Sequence, residues 1–172
     1  MRTIVKNIER VLAKIDVAIR IFIVVALFSM TALLFLNSVG RSALNISFVG
    51  GPALGRLIVI WLTFLGSYLA VRSGTHITVD VVRQALPDNI VRMLPIPVGI
   101  AGALTTAWVA WLGAQFTLTR FESGQMDPML EILTAWFYLP VPIGCALMCV
   151  AFVHIMLNAI ANRNHADEAV MD

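Results

Sequence analysis

The residues of this sequence that could take part in chemistry are few, and they lie mainly near the ends of apolar stretches. Arg72, His76 and Asp80 follow one another at four-residue spacing, so on a helix their side chains share one face. Such a face can remain in water, or it can form an anchor or bind a second protein. His154 lies deep in a later apolar run, where a neutral imidazole bonded to a neighbouring helix is favoured over a ligand or proton shuttle.

Catalytic arrangements are missing from the sequence. No Ser, Thr or Cys has a recognisable base partner, and no glycine-rich phosphate loop or paired-carboxylate motif occurs. Cys145 and Cys149 fall on consecutive helical turns, a poor geometry for a disulfide, and are interpreted as small packing residues. Glu131 is interpreted as the solvated start of a helix. The sequence predicts a protein that is not an enzyme and holds no metal or cofactor.

The composition is that of an integral membrane protein. Hydrophobic residues make up 59% of the 172 residues, charged residues make up 13%, and the mean hydropathy is +0.88. Soluble domains contain about 25% charged residues. The net charge of +2 is too small for a nucleic-acid surface.

Apolar stretches predict an all-α membrane protein with four transmembrane helices, since a span needs about 20 apolar residues. A short amphipathic interfacial helix is expected between the second and third spans, because Ile77 and Val81 fall on one face and His76 and Asp80 on the other. The predicted segments are a basic amphipathic lead-in at 1–20, spans at about 21–39, 54–71, 93–119 and 132–161, the interfacial helix at about 75–86, and a tail at 162–172.

Small residues recur every four positions in two of these spans. On a helix, such a strip lets another backbone approach closely. The predicted close-packing residues are Gly66, Ala70 and Gly74 in one strip and Gly102, Thr106 and Ala110 in the other.

The basic residues predict the orientation. With four spans, nine of the twelve Lys and Arg residues lie on the side of the termini, and Arg41, Arg56 and Arg120 lie on the other side. The positive-inside rule therefore places both termini in the cytoplasm.

Particular residues around Arg72, at the end of the predicted second span, resemble the small membrane subunit of TRAP transporters, the Q subunit of the DctQ type. The resemblance rests on Ala70, Val71, Arg72, His76, Asp80, Leu86 and Pro87, with Arg56, Trp61, Leu65 and Gly66 upstream and Trp136, Tyr138, Pro142, Ile143 and Gly144 downstream. One departure is Ala53, which stands where that family often has Glu, so no role of that carboxylate can be transferred.

The resemblance implies a non-catalytic subunit of the bacterial inner membrane. Its partners would be a large permease subunit, which carries the substrate and sodium sites, a periplasmic substrate-binding protein, and membrane lipid. The system would import an organic acid with a coupled cation, which is expected to be the sodium ion. Arg72, His76 and Asp80 would then form a structural anchor or a docking face. Contacts with the binding protein would involve the charged residues of the two predicted periplasmic connections, 40–53 and 120–131, namely Arg41, Arg120, Glu122 and Asp127.

Two other classes of protein fit parts of the sequence. A four-helix redox protein could bind haem between His76 and His154, but these residues are expected at different membrane depths. A self-sufficient four-span exporter is disfavoured because no carboxylate lies within the predicted first span.

Overall fold

The computed structural model describes residues 2–44, 48–73 and 95–168, and this part of the chain is helical except for short connections. We number its five helices in chain order. They are α1 (Arg2–Leu44), α2 (Gly51–Arg72), α3 (Pro95–Glu122), the single-turn α4 (Ala135–Tyr138) and α5 (Pro140–Glu168).

Four segments are long and apolar enough to cross a membrane: Leu12–Ala43, Gly51–Arg72, Ile96–Glu122 and Ala135–Ala159. The last of these joins α4 to α5. The prediction of four spans is therefore confirmed. The predicted interfacial helix at 75–86 lies outside the described residues, as do His76, Asp80 and Gly74.

The first helix differs from the sequence-based division at residue 20. α1 is one continuous helix of 43 residues, about 64 Å long at 1.5 Å per residue. Its sequence contains no Pro, and its first Gly is Gly40, so nothing in the backbone chemistry ends the helix where the apolar span begins. The basic first residues thus continue the axis of the spanning segment.

The ends of α2 follow from local chemistry. Pro52 lies in the first turn, where its missing N–H costs no hydrogen bond. At the other end the Ser73 N–H donates to the carbonyl oxygens of Leu69 and Val71, and the helix ends there. α2 therefore has the length of one membrane span, with Arg72 as its last residue.

The long helices pack in the order α1, α2, α5, α3, so the first and third helices stand at the two ends of an open row. The end helices have the fewest buried residues in their spans, and α5 has the most. The main apolar cluster joins the first three members of the row and contains Ile19, Leu65, Tyr68 and Ala151. The end helices α1 and α3 consequently keep large apolar surfaces outside these contacts.

α5 closely approaches both of its neighbours in the row. A Cβ atom added at Gly102 of α3 would lie 2.7 Å from the Phe152 ring, and one added at Gly144 would lie 2.7 Å from Phe64 Cβ on α2. Both distances are shorter than a carbon–carbon contact permits. Glycine at these two positions therefore allows α5 to pack tightly between its neighbours.

Candidate functional site

A largely buried group of polar side chains joins three helices near the C-terminal end of α2. The Tyr68 hydroxyl donates a 2.7 Å hydrogen bond to Asp16 Oδ1. Arg72, one turn further along α2, donates from Nε to Asp16 Oδ2 at 3.2 Å. One carboxylate of α1 thus accepts from two side chains of α2. We call this group, with His154 and Asn158 of α5, the Asp16 network.

The same arginine extends the network to α5. Arg72 Nη1 lies 3.1 Å from His154 Nδ1, and Asn158 Nδ2 lies 3.3 Å from that ring nitrogen. An arginine can only donate hydrogen bonds, so Nδ1 must act as the acceptor. This contact requires that His154 carry its proton on Nε2 and be neutral. The expectation of a histidine bonded to a neighbouring helix is thereby confirmed.

The opposite charges in the Asp16 network are paired and largely shielded from solvent. The carboxylate of Asp16 and the guanidinium of Arg72 neutralise each other, and each side chain is only 16% exposed. Tyr68 is fully buried and His154 is 6% exposed. In the described residues every buried side-chain nitrogen and oxygen has a hydrogen-bond partner. The network is therefore suited to fixing three helices together, because a satisfied charge pair is costly to break.

A second charged group lies at the opposite end of α2. Arg56 Nη2 donates to Asp127 Oδ2 at 3.1 Å, and the guanidinium stacks 4.8 Å from the centroid of the Phe137 ring. Asp127 Oδ1 accepts from the backbone N–H groups of Met129 and Leu130 at 2.9 and 3.3 Å. We call these residues the Asp127 network. It holds the connection between α3 and α4 against the first turns of α2.

The connection between α3 and α4 is itself ordered by the backbone. The Asp127 N–H donates to the Ile132 carbonyl, and the Thr134 N–H donates to the Gln125 carbonyl, each at 2.8 Å. Glu131 adopts a left-handed conformation with φ of 53°. Its side chain is exposed, as expected from the sequence, although it lies in a turn rather than at a helix start.

The four predicted periplasmic contacts do not share one environment. Arg41 and Glu122 are exposed, and Arg120 is half-buried with its guanidinium 4.9 Å from the Phe116 ring centroid. Asp127 is only 7% exposed. Its carboxylate is occupied by the Asp127 network, so it offers little surface to a second protein.

The two predicted small-residue strips also differ. Gly102, Thr106 and Ala110 are half-buried, and Gly102 faces α5. By contrast, no described heavy atom lies within 4 Å of a Cβ placed on Gly66, and Ala70 is exposed. The first strip is therefore open in the described part of the chain.

Sequence reasoning missed Asp16 and Tyr68. Asp16 was assigned to the lead-in, but the structure places it inside the apolar segment Leu12–Ala43. A usable signal was present, since Tyr68 and Arg72 are four residues apart and present a hydroxyl and a guanidinium on one face of α2. A lone acidic residue at a similar depth on a preceding helix is the natural partner of such a pair.

These features define a class of protein. The chain is a multi-pass helical membrane protein in which two ion pairs hold described segments together, one between α1 and α2 and one between α2 and the connection that follows α3. Within the described residues, no group of three or more His, Cys, Asp or Glu side chains is arranged to hold a metal ion.

The family follows from comparison with known sequences. Residues 30–162 match the model of the DctQ component of tripartite ATP-independent periplasmic (TRAP) transporters, and the chain belongs to this non-catalytic transporter family.

Three relatives illustrate the similarity. The chain is 34% identical to the C4-dicarboxylate TRAP transporter small permease protein DctQ of Rhodobacter capsulatus, over 64% of this chain and 49% of that protein. It is 25% identical to the ectoine small permease protein TeaB of Halomonas elongata, over 74% of this chain and 66% of TeaB. It is 23% identical to the isethionate permease protein DctMQ of Oleidesulfovibrio alaskensis, over 68% of this chain and 18% of that protein. The chain spans about half the length of the first relative and just under two thirds of the second.

Proposed function

We propose that this chain is the small, non-catalytic membrane subunit of a TRAP-type transporter and acts as a scaffold for a large permease subunit. The observation that carries the proposal is the use of charge in the spans. The Asp16–Arg72 pair joins α1 to α2, and the Arg56–Asp127 pair joins α2 to the connection between α3 and α4, so these four charged groups are held in structural contacts. A coupling site would instead present ionisable groups to a substrate or ion in a cavity.

The open row of helices supports the same role. The two cavities that we describe lie at the surface of the row, one beside Arg41 and the other between α3 and the start of α5. Neither lies between all four spans, where a transport route through this chain would have to pass. A row that leaves large apolar faces free is suited to contact with a second membrane protein and with lipid.

The partner is proposed to be the large permease subunit on a separate chain. The match to DctMQ supports this, because a segment like this one forms about a fifth of a longer permease protein there. We propose further that the assembly imports an organic acid, coupled to a cation such as sodium and delivered by a periplasmic binding protein. The names of the relatives refer to C4-dicarboxylates, ectoine and isethionate, which are suitable first substrates to test.

The contacts in the structure refine the proposed roles of the docking residues. Arg72 is occupied by Asp16 and His154, so we propose that it acts by fixing the end of α2. His76 and Asp80 are proposed to contact the large subunit directly. On the periplasmic side, Arg41, Arg120 and Glu122 are the proposed contacts of the binding protein, where charges accelerate encounter more than they raise affinity.

Reconstitution tests the scaffold proposal. The large subunit and binding protein are placed in proteoliposomes with and without this chain, and substrate uptake is measured with and without a sodium gradient. Uptake should need this chain, while His154→Leu should leave the number of sodium ions per substrate unchanged, with uptake normalised to the amount of assembled protein. Glu131→Leu provides a parallel test at an exposed residue. A changed ion-to-substrate ratio in either variant would show that this chain contributes a coupling site.

A further inference from the structure

An apolar groove lies on the surface between α3 and the segment formed by α4 and the first turn of α5. It is lined by Val109, Leu112, Gly113, Phe116, Tyr138 and Val141 and has a volume of about 350 Å³. The groove lies wholly within the two apolar segments Ile96–Glu122 and Ala135–Ala159. Its walls therefore belong to segments that are long and apolar enough to cross a membrane.

Gly113 and the packed pair Phe116 and Tyr138 shape this groove. The two rings meet edge to face with centroids 4.8 Å apart. Gly113 has no side chain to fill the space, and a Cβ there would lie 3.0 Å from Val141 Cγ1. Leu112 and Phe116 are each 45% exposed, so the groove is open along its length.

A cation stands at one end of the groove. Arg120 lies one turn beyond Phe116 on α3 and holds its guanidinium 4.9 Å from the centroid of that ring. Nη1 of Arg120 also donates to Gln125 Oε1. A guanidinium has five N–H donors, so others remain for an anion. The stacking on Phe116 keeps the positive charge beside the groove and close to the end of the span.

We propose that this groove binds one glycerophospholipid, with an acyl chain along Val109, Leu112 and Val141 and its phosphate on Arg120. The arrangement of apolar and charged side chains along the groove favours this occupant. A phospholipid joins a long apolar chain to an anionic phosphate at the membrane surface, and the site presents an apolar groove and a cation in the same order. An apolar side chain from another protein would leave the charge of Arg120 unmatched.

The proposal is independent of the proposed transport function and would change one part of it. With a phosphate bound, the charge of Arg120 is neutralised by lipid and is no longer available to a binding protein. Arg41 and Glu122 would then remain as the proposed periplasmic contacts.

Lipid retention measured by native mass spectrometry tests the site. The full chain is extracted in a mild detergent, in whatever assembly it forms, and titrated with palmitoyl-oleoyl phosphatidylglycerol or with diacylglycerol of the same chains. One phosphatidylglycerol should be retained in preference to diacylglycerol. Arg120→Gln should weaken this retention about tenfold, as expected for loss of a charge-assisted contact. Arg41→Gln, at an exposed arginine outside the groove, is the matched control and should retain lipid normally.

Filling the groove provides an independent variant. Val109→Trp should reduce retention of phosphatidylglycerol, whereas Leu104→Trp, at an exposed position outside the groove, should not. Thermal unfolding of each variant shows that the fold is intact. Equal retention by Arg120→Gln and the wild type, or equal binding of diacylglycerol, would overturn the proposal. It would also be overturned if Val109→Trp released the large subunit without affecting lipid, because the groove would then be a protein contact.

Discussion

Asp16 and Tyr68 lie 52 positions apart in the sequence, and a 2.7 Å hydrogen bond joins the carboxylate of one to the hydroxyl of the other. The same carboxylate accepts from Arg72. α1 and α2 are therefore fixed at this end by a charged acceptor with two donors, in addition to their apolar contact. This relationship gives the first two predictions.

We predict that Asp16→Leu and Arg72→Met each destabilise the protein more than the double variant does. Removing one partner of a buried pair leaves an unmatched charge and costs about 3–5 kcal/mol, whereas replacing both with apolar residues is often neutral. Thermal unfolding in detergent micelles would measure the difference. Glu9→Gln, at an exposed residue of α1, is the control. Additive losses in the double variant would show that the two side chains do not stabilise each other.

Tyr68→Phe should destabilise the protein by less than Asp16→Leu, because it removes one donor and leaves the ion pair with Arg72. A hydrogen bond to a charged group contributes about 1.5–3 kcal/mol. Tyr138→Phe retains the ring that contacts Phe116 and is the matched control. If the two phenylalanine variants unfold at the same temperature, the hydroxyl of Tyr68 makes no net contribution.

At the other end of α2, we predict an asymmetry between Asp127→Ala and Arg56→Ala. The side chain of Arg56 is 62% exposed and that of Asp127 is 9% exposed. Loss of an exposed arginine removes an ion pair of about 0–1 kcal/mol. Loss of Asp127 also removes the acceptor for two backbone N–H groups and should cost about 1–3 kcal/mol. Limited proteolysis of the connection between α3 and α4, with thermal unfolding in parallel, measures both. Equal effects would mean that the backbone contacts of Asp127 are unimportant.

The topology prediction of cytoplasmic termini can be tested by labelling cysteines from the periplasm of intact cells. Asn45→Cys and Ser123→Cys should react when Cys145 and Cys149 are replaced by alanine. Ser123 is preferable to its neighbour Gly124, whose φ of 61° disfavours a side chain. Ala166→Cys near the end of α5 should react only after the cells are opened. The reverse pattern would invert the orientation.

Assembly with the large subunit provides the last prediction. Asp80→Ala should weaken co-purification of the two subunits while membrane levels of this chain stay normal. Arg72→Ala should instead lower both, and so should Asp16→Ala, because the Arg72–Asp16 pair also holds the fold together. If Asp80→Ala assembles normally at normal expression, the segment around it is a solvated surface and contributes no docking contact.

The sequence was sufficient to predict the class of fold, because the length of each apolar stretch directly predicts a membrane span. It also predicted that His154 bonds to another helix, since a buried imidazole needs a partner. It could not identify that partner, because the neighbour of α5 depends on packing between segments distant in the chain. The order in which the helices pack could not be predicted for the same reason. Apolar periodicity does not distinguish a face that contacts another helix from a face that contacts lipid. Asp127 shows the limit most clearly: a polar connection suggests exposed charge, yet three-dimensional contacts bury this carboxylate.

An open row has a longer apolar perimeter than four helices gathered around a common axis. If a large subunit covers one side of the row, bilayer lipid still touches the other side directly. The packing of α2 against α5 would then depend on membrane thickness, because both helices would contact acyl chains. Changing the acyl-chain length of the surrounding bilayer would therefore act on this subunit without any ligand binding to it.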